Sequence, residues 1–135
     1  MSIQKDIWMK AYMFKKSNND KLESLIGSNS GFRGNVEVKG TLRVDGTIEG
    51  NITADHVIIG KDAYVKGNID ANAITIGGKM EGNIHASGLV EITSAAFALG
   101  DIIAKRISIS EGGIFNGRII MKEDETSLLG YQVNG

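Results

Sequence analysis

The chain of 135 residues contains no cysteine and no proline. Without cysteine there is no disulfide framework, no thiol chemistry and no cysteine-ligated metal. A reducing compartment is compatible with that absence and is not proved by it. Aromatic residues make up only 6% of the sequence, and the formal net charge is −1. So balanced a charge argues against broad nucleic-acid binding, which needs clustered positive charge. No apolar run is long enough to span a membrane. The N-terminal window from Ile7 to Phe14 is interrupted by Lys10, and it falls far short of the ~20 residues a spanning helix needs. It also lacks the apolar core and cleavage site of a secretory signal, so a cytoplasmic location is the expectation.

Glycine is abundant, with 18 residues. High glycine without proline, in a chain that is 41% hydrophobic, fits neither collagen nor a flexible linker. It describes a chain that turns often. The turns are periodic. Gly34-Asn35-Val36 is followed by Gly50-Asn51-Ile52, Gly67-Asn68-Ile69, Gly82-Asn83-Ile84 and Gly100-Asp101-Ile102, with a degenerate copy at Gly117-Arg118-Ile119. The steps are 16, 17, 15, 18 and 17 residues. Such self-similarity marks a solenoid.

Each period holds three short apolar alternations, for example Ile52-x-Ala54, Val57-x-Ile59 and Ala63-x-Val65. Alternation at period two is the signal of a strand. Three strands per period predict a triangular parallel β-helix of about six rungs, with Gly and Asn at its corners. The missing proline suits it, because stacked parallel strands use every N–H. These residues do not set the handedness, and the rule for parallel crossovers favours a right-handed path. The expected organisation is a flexible tail over 1–26, a β-helix over 27–121 and a polar tail over 122–135. Leu22, Leu25 and Ile26 are placed to cover the open N-terminal end of the rod.

Two columns test this register. Asn35, Asn51, Asn68, Asn83 and Asp101 would stack as a side-chain ladder. Glu49, Lys66 and Glu81 would alternate in charge from rung to rung.

Chemistry-bearing patterns are nearly absent. His56 lies six residues after its corner glycine and His85 three after its own. They occupy different positions on the coil and do not form a stacked ligand pair, in contrast to the clustered histidines of a β-helical zinc enzyme. Gly77-Gly78-Lys79 lacks the rest of a phosphate loop. The carboxylates Asp45, Asp55, Asp62 and Asp70 sit at scattered offsets, and the period is not that of a calcium-binding β-roll. No catalytic residue, metal site or cofactor is expected, and the chain is read as a non-enzyme.

What remains is the rod and its ends. An uncapped β-helix exposes a turn of unpaired strand edge, a template for another copy. Phe32 stands before the first rung. Phe115 aligns with the inward positions Ile48, Val65, Met80 and Ala98. Together with Ile119, these two residues are the candidates for an end interface. Phe115 also reads as a plain core plug, and the two roles are compatible. On the outside, Phe97, Leu99 and Ile114 are candidates for lateral or partner contact. A register shift within the longest copy would instead turn Phe97 and Leu99 inward, and the sequence leaves both orientations open.

The stretch from Gly40 to Ile52, GTLRVDGTIEGNI, together with Ile109 to Gly117, ISEGGIFNG, and the ordered glycine repeats, resembles the bactofilin family. The resemblance covers about residues 26 to 121. It implies a bacterial cytoskeletal protein that polymerises end to end without nucleotide. It also implies a scaffold that recruits cell-wall, polarity or chromosome-partitioning proteins to the inner face of the cytoplasmic membrane. Many members begin with a Met-Phe-Lys segment that attaches to the membrane. Met13-Phe14-Lys15-Lys16 is similar to that segment. It is internal here and would be N-terminal if translation began at Met13. Trp8 favours the membrane interface and the lysines favour anionic lipid.

Two rival readings share the fold. A hexapeptide-repeat acyltransferase would be trimeric, with a near-constant 18 residues per turn and a catalytic His between subunits. The observed steps and histidine positions count against it. The other rival is a monomeric solenoid that docks one partner through Phe97, Leu99 and Ile114.

Overall fold

The computed structural model describes residues 22–122. Every regular element there is a β-strand, and every pairing is parallel. The strands are β1 (Leu22–Ile26), β2 (Gly31–Arg33), β3 (Val36–Val44), β4 (Thr47–Glu49), β5 (Ile52–Ile59), β6 (Tyr64–Lys66) and β7 (Ile69–Ile76). They continue as β8 (Lys79–Glu81), β9 (Ile84–Ile92), β10 (Phe97–Leu99), β11 (Ile102–Ile109), β12 (Ile114–Asn116) and β13 (Ile119–Met121). Odd-numbered strands form a seven-stranded sheet and even-numbered strands a six-stranded one. The chain is therefore a β-solenoid, with each strand paired to its counterpart one turn away.

The long strands each cover two sides of a triangle. In β5, Ile52 and Ala54 are buried, then Val57 and Ile59, with the outward pair Asp55-His56 between them. Two successive outward residues reverse the inward parity, which a flat strand cannot do. The corner lies there. The short strands form the third side. β1 lies on the second side alone and β13 on the first, so each side carries six strands, matching the six of the short sheet.

The uneven period has a mechanical explanation. A turn of 17 residues, such as Gly50 to Gly67, has a plain corner and a four-residue connection, 60–63, between the second and third sides. In β3 and β9 the corner carries one extra residue, seen as register shifts against β5 and β11. These are β-bulges. The connections at Asp45-Gly46 and Gly77-Gly78 are two residues shorter. One residue more and two fewer account for the steps of 16, 15 and 18. The short connections nest against the long ones. A Cβ on Gly78 would stand 2.1 Å from the Gly60 carbonyl oxygen.

Inside, the sides contribute columns of aliphatic side chains, and Leu42, Ile48, Ile59, Ile74, Ile76 and Ile92 are fully buried. At the corner before the first side, each Gly-Asn pair stacks on the previous one. Gly67 has φ +146, and a Cβ there would lie 1.8 Å from the Gly50 carbonyl oxygen. Only glycine fits this contact. The Asn column is in register, but its bonding differs from the expected side-chain ladder. Each Oδ1 accepts the main-chain N–H of the next residue in the column, at 3.2 Å for Asn35 to Asn51 and 3.1 Å for Asn51 to Asn68. The carbonyl of each Asn is already taken by the following N–H of the previous turn, as in Val36 to Asn51 at 2.8 Å. The amide oxygen is the acceptor left for the corner N–H.

The charged column also falls in register. Glu49 pairs with Lys66, and Lys66 with Glu81. The solenoid starts earlier than the boundary expected at residue 27, because Leu22–Ile26 is already a strand paired with β3.

Candidate assembly surface

The last turn differs from the five before it. Ile109 is in register with Ile92, Ile119 with Ile102 and Met121 with Ala104. The inner partners are at most 1% exposed, while Ile109, Ile119 and Met121 are 46%, 38% and 57% exposed. These side chains occupy core columns, but among the described residues no strand lies beyond them. β12 and β13 are the edges of their sheets. The second side ends at the 106–109 part of β11. One end of the rod thus presents an apolar floor rimmed by unpaired strand edge, the arrangement that templates further strands.

Phe115 is half-buried and packs on the core, in register with Ala98. Its bulk lies over the smallest inward side chain of the third side, a large-on-small fit. The Asn ladder also stops here. Arg118 takes the column position; its carbonyl still accepts the Ile102 N–H at 2.8 Å, but its side chain has no acceptor for a further turn. Its N–H reaches Asp101 Oδ1 at 3.4 Å, and its guanidinium pairs with Asp101 Oδ2 at 3.2 Å.

The opposite end is different. Phe32 is in register with Ile48 and only 5% exposed, and Val36 and Val38 are buried as well. Phe32 is therefore a core residue of the first turn, tucked over Ile48, and not an exposed side chain. Of the three residues expected at an end interface, Phe115 and Ile119 lie together at the open end and Phe32 does not.

On the third side, Ala98 is inward and buried, so Phe97 and Leu99 point outward at 40% and 38% exposure. The orientation left open by the sequence is settled as outward. The bulge and long connection that lengthen this copy both precede Phe97, so the alternation in β10 is undisturbed. Phe97 is in register with Ile114, which is also exposed. Below them, Lys79 Nζ sits 5.5 Å from the Tyr64 ring centroid and 6.0 Å from that of Phe97, within cation–π range. Tyr64 donates to Glu81 at 2.6 Å, and this bond to a carboxylate raises its pKa above the ordinary tyrosine value.

The histidines fall on separate columns, as the spacing requires. His56 is 3.4 Å from Thr75 and His85 is 3.5 Å from Asp70. Among the described residues, no group of three His, Asp or Glu side chains could hold a metal ion. No described helix is long and apolar enough to cross a membrane. Trp8, Met13, Phe14, Lys15 and Lys16 lie outside the described residues.

Sequence spacing singled out Phe115 and Ile119 at this end and did not single out Ile109 and Met121, which are exposed beside them. The available signal was the loss of Asn at Arg118, which marks the terminal copy.

The described residues define the class of parallel β-solenoid repeat proteins, here with a last described turn that leaves core-column side chains exposed. The family model described as "Bactofilin: Polymer-forming cytoskeletal" matches residues 24–120. The chain belongs to the bactofilin family, whose members are polymer-forming cytoskeletal proteins. It is 29% identical over 113 residues to bactofilin BacO of Myxococcus xanthus, covering 83% of this chain and 90% of that protein. It is 35% identical over 89 residues to bactofilin BacP of the same organism, covering 65% of this chain and 37% of BacP. No solved structure matches the chain.

Proposed function

We propose that this bactofilin is a non-enzymatic scaffold whose molecules join end to end through the open last turn. The observation that carries this reading is the exposure of Ile109, Ile119 and Met121 in columns that are buried through the inner turns. Phe115 lies among them. A second molecule seated there would bury these side chains at about 1 kcal/mol for each half-exposed group. It would also extend the strand pairing. No nucleotide is required, because the driving force is the contact itself. The sum is modest once lost freedom is counted, so assembly depends on concentration.

The residues Trp8, Met13, Phe14, Lys15 and Lys16 supply weak contacts to the inner face of the cytoplasmic membrane. A polymer multiplies such contacts by presenting many copies. Phe97, Leu99 and Ile114 point outward from the third side, Ile114 on the last turn itself, so stacking leaves at least Phe97 and Leu99 free to meet a recruited protein or a neighbouring filament.

The test is negative-stain electron microscopy of the purified chain in plain buffer, without nucleotide or metal. Filaments a few nanometres wide are expected. Discrete particles at every concentration and salt would remove the end-to-end reading. They would favour a solenoid that docks one partner on its third side.

A further inference from the structure

The second inward position of the first side is Ala54, Ala71, Ala86 and Ala104 in successive turns, each in register with the next and each buried. Val38 opens this column and is buried too. Through the inner turns the column holds nothing larger than a methyl group. The residue that ends it is Met121, paired with Ala104 and 57% exposed. A long side chain with a polarisable sulfur thus stands at the open end, over a column of alanines. The other methionine among the described residues is placed in the opposite way. Met80 lies inward on the third side between Val65 and Ala98 and is 1% exposed.

A thioether that peroxide can reach takes up one oxygen atom. The O–O bond breaks, sulfur gives up two electrons, and hydrogen peroxide leaves as water. The product is a sulfoxide, polar and chiral where the thioether was flexible and apolar. Two thiols reverse the step, removing the oxygen as water and ending as a disulfide. In the single molecule the Met121 sulfoxide stays in water, and the turns beneath it keep their packing. Buried in a joined end, the same group is an unpaired polar group in an apolar contact.

We propose that Met121 is an oxidation site that gates the open end: the thioether form joins and the sulfoxide form does not. The site stands on the exposure and position of Met121, and the gate rests on the end-to-end reading. Joining in turn covers Met121, so an assembled end is shielded from peroxide and a free end is not.

The experiment uses the full chain and hydrogen peroxide. In dilute monomer, peptide mass spectrometry should show Met121 oxidising at least ~10-fold faster than Met80, which must wait for local opening. Equal rates overturn the site. The oxidised monomer should keep the parent's melting temperature, and a marked fall would mean that the sulfoxide disturbs the turn itself, which overturns the gate. The concentration needed for sedimentable polymer should rise at least ~10-fold on oxidation. Methionine sulfoxide reductase with a dithiol should restore it. An unchanged threshold overturns the gate. Met121→Leu, similar in volume and without sulfur, should polymerise like the parent and lose the response to peroxide. A response that persists in Met121→Leu assigns the effect to Met1, Met9, Met13 or Met80 and also overturns the gate. A further measurement needs no variant. In pelleted polymer the oxidation of Met121 should slow at least ~10-fold relative to monomer, and an equal rate in both overturns the shielding. If the unoxidised parent forms no polymer, the end-to-end reading fails and the gate with it, while the ratio of Met121 to Met80 oxidation still decides the site.

Discussion

Asn68 Oδ1 accepts the main-chain N–H of Asn83 at 3.1 Å, and the N–H of Asn68 is held in the same way by Asn51. Each Asn thus serves the turn after it, and its backbone is served by the turn before. Asn68→Ala should lower stability by about 1 kcal/mol, the net value of one such bond at an exposed corner. Asn68→Asp should retain most of it, since Asp101 already fills the same role toward Arg118. The shift in urea midpoint at constant slope is the measurement.

The glycine before that Asn is more restrictive. Gly67→Ala forces a Cβ against the Gly50 carbonyl at a positive φ, and it should cost at least ~3 kcal/mol or prevent cooperative folding. Gly31→Ala, where a Cβ would meet nothing within 4 Å, should stay within ~0.5 kcal/mol. Thermal melts of the two variants side by side separate the steric effect from general glycine loss.

The bond from Tyr64 to Glu81 should be visible in an alkaline titration. The neutral phenol is the donor, so the folded state holds Tyr64 protonated above its ordinary pKa. The associated stability is present below the unfolded tyrosine pKa of about 10. It is lost as pH rises through the higher folded value. The absorbance change assigned to Tyr64 by difference from Tyr64→Phe should move to lower pH in Glu81→Gln.

Ile119→Arg places a charge at the open end, where it stays solvated in the single molecule. Its circular dichroism spectrum and melting temperature should match the parent. The pelleted fraction in high-speed sedimentation should fall to near zero. Phe115→Arg should act in the same direction with some loss of stability, since Phe115 packs on the core. Normal long polymers from both variants would refute the end surface.

Deleting residues 1–20 removes Trp8, Met13, Phe14, Lys15 and Lys16 while leaving every described strand. Polymer formation should persist, and co-sedimentation with anionic liposomes should be abolished. Undiminished co-sedimentation would place membrane contact elsewhere.

The solenoid was legible because period-two alternation survives every irregularity. Ile52-x-Ala54 and Val57-x-Ile59 mark two sides even though the main chain runs through them as one strand. The cause of the uneven steps was hidden, since a bulge at Gly40 and a shortened connection at Gly46 differ from ordinary turn glycines only in what stacks on them. β1 reads from sequence as a covering segment and not as a paired strand, because it lacks the Gly-Asn corner and puts Ser24 at an inward position, in register with Leu42. The register of the Asn column was readable and its bonding was not. That depends on which carbonyls the neighbouring turn has already used. At the assembly surface, Ile109 and Met121 read as ordinary core residues, because sequence alone does not say where the stack of turns ends.

The corner between the second and third sides takes two residues or four without disturbing the sides it joins. The tip of one long connection, Lys61-Asp62, is exposed. That corner is a natural splice point. A short epitope or fluorophore-binding peptide inserted between Lys61 and Asp62 would decorate the rod once per molecule while every column keeps its phase. Imaged along an assembled thread, such labels would recur evenly if unlike ends meet and in alternating long and short gaps if like ends meet, a built-in molecular ruler.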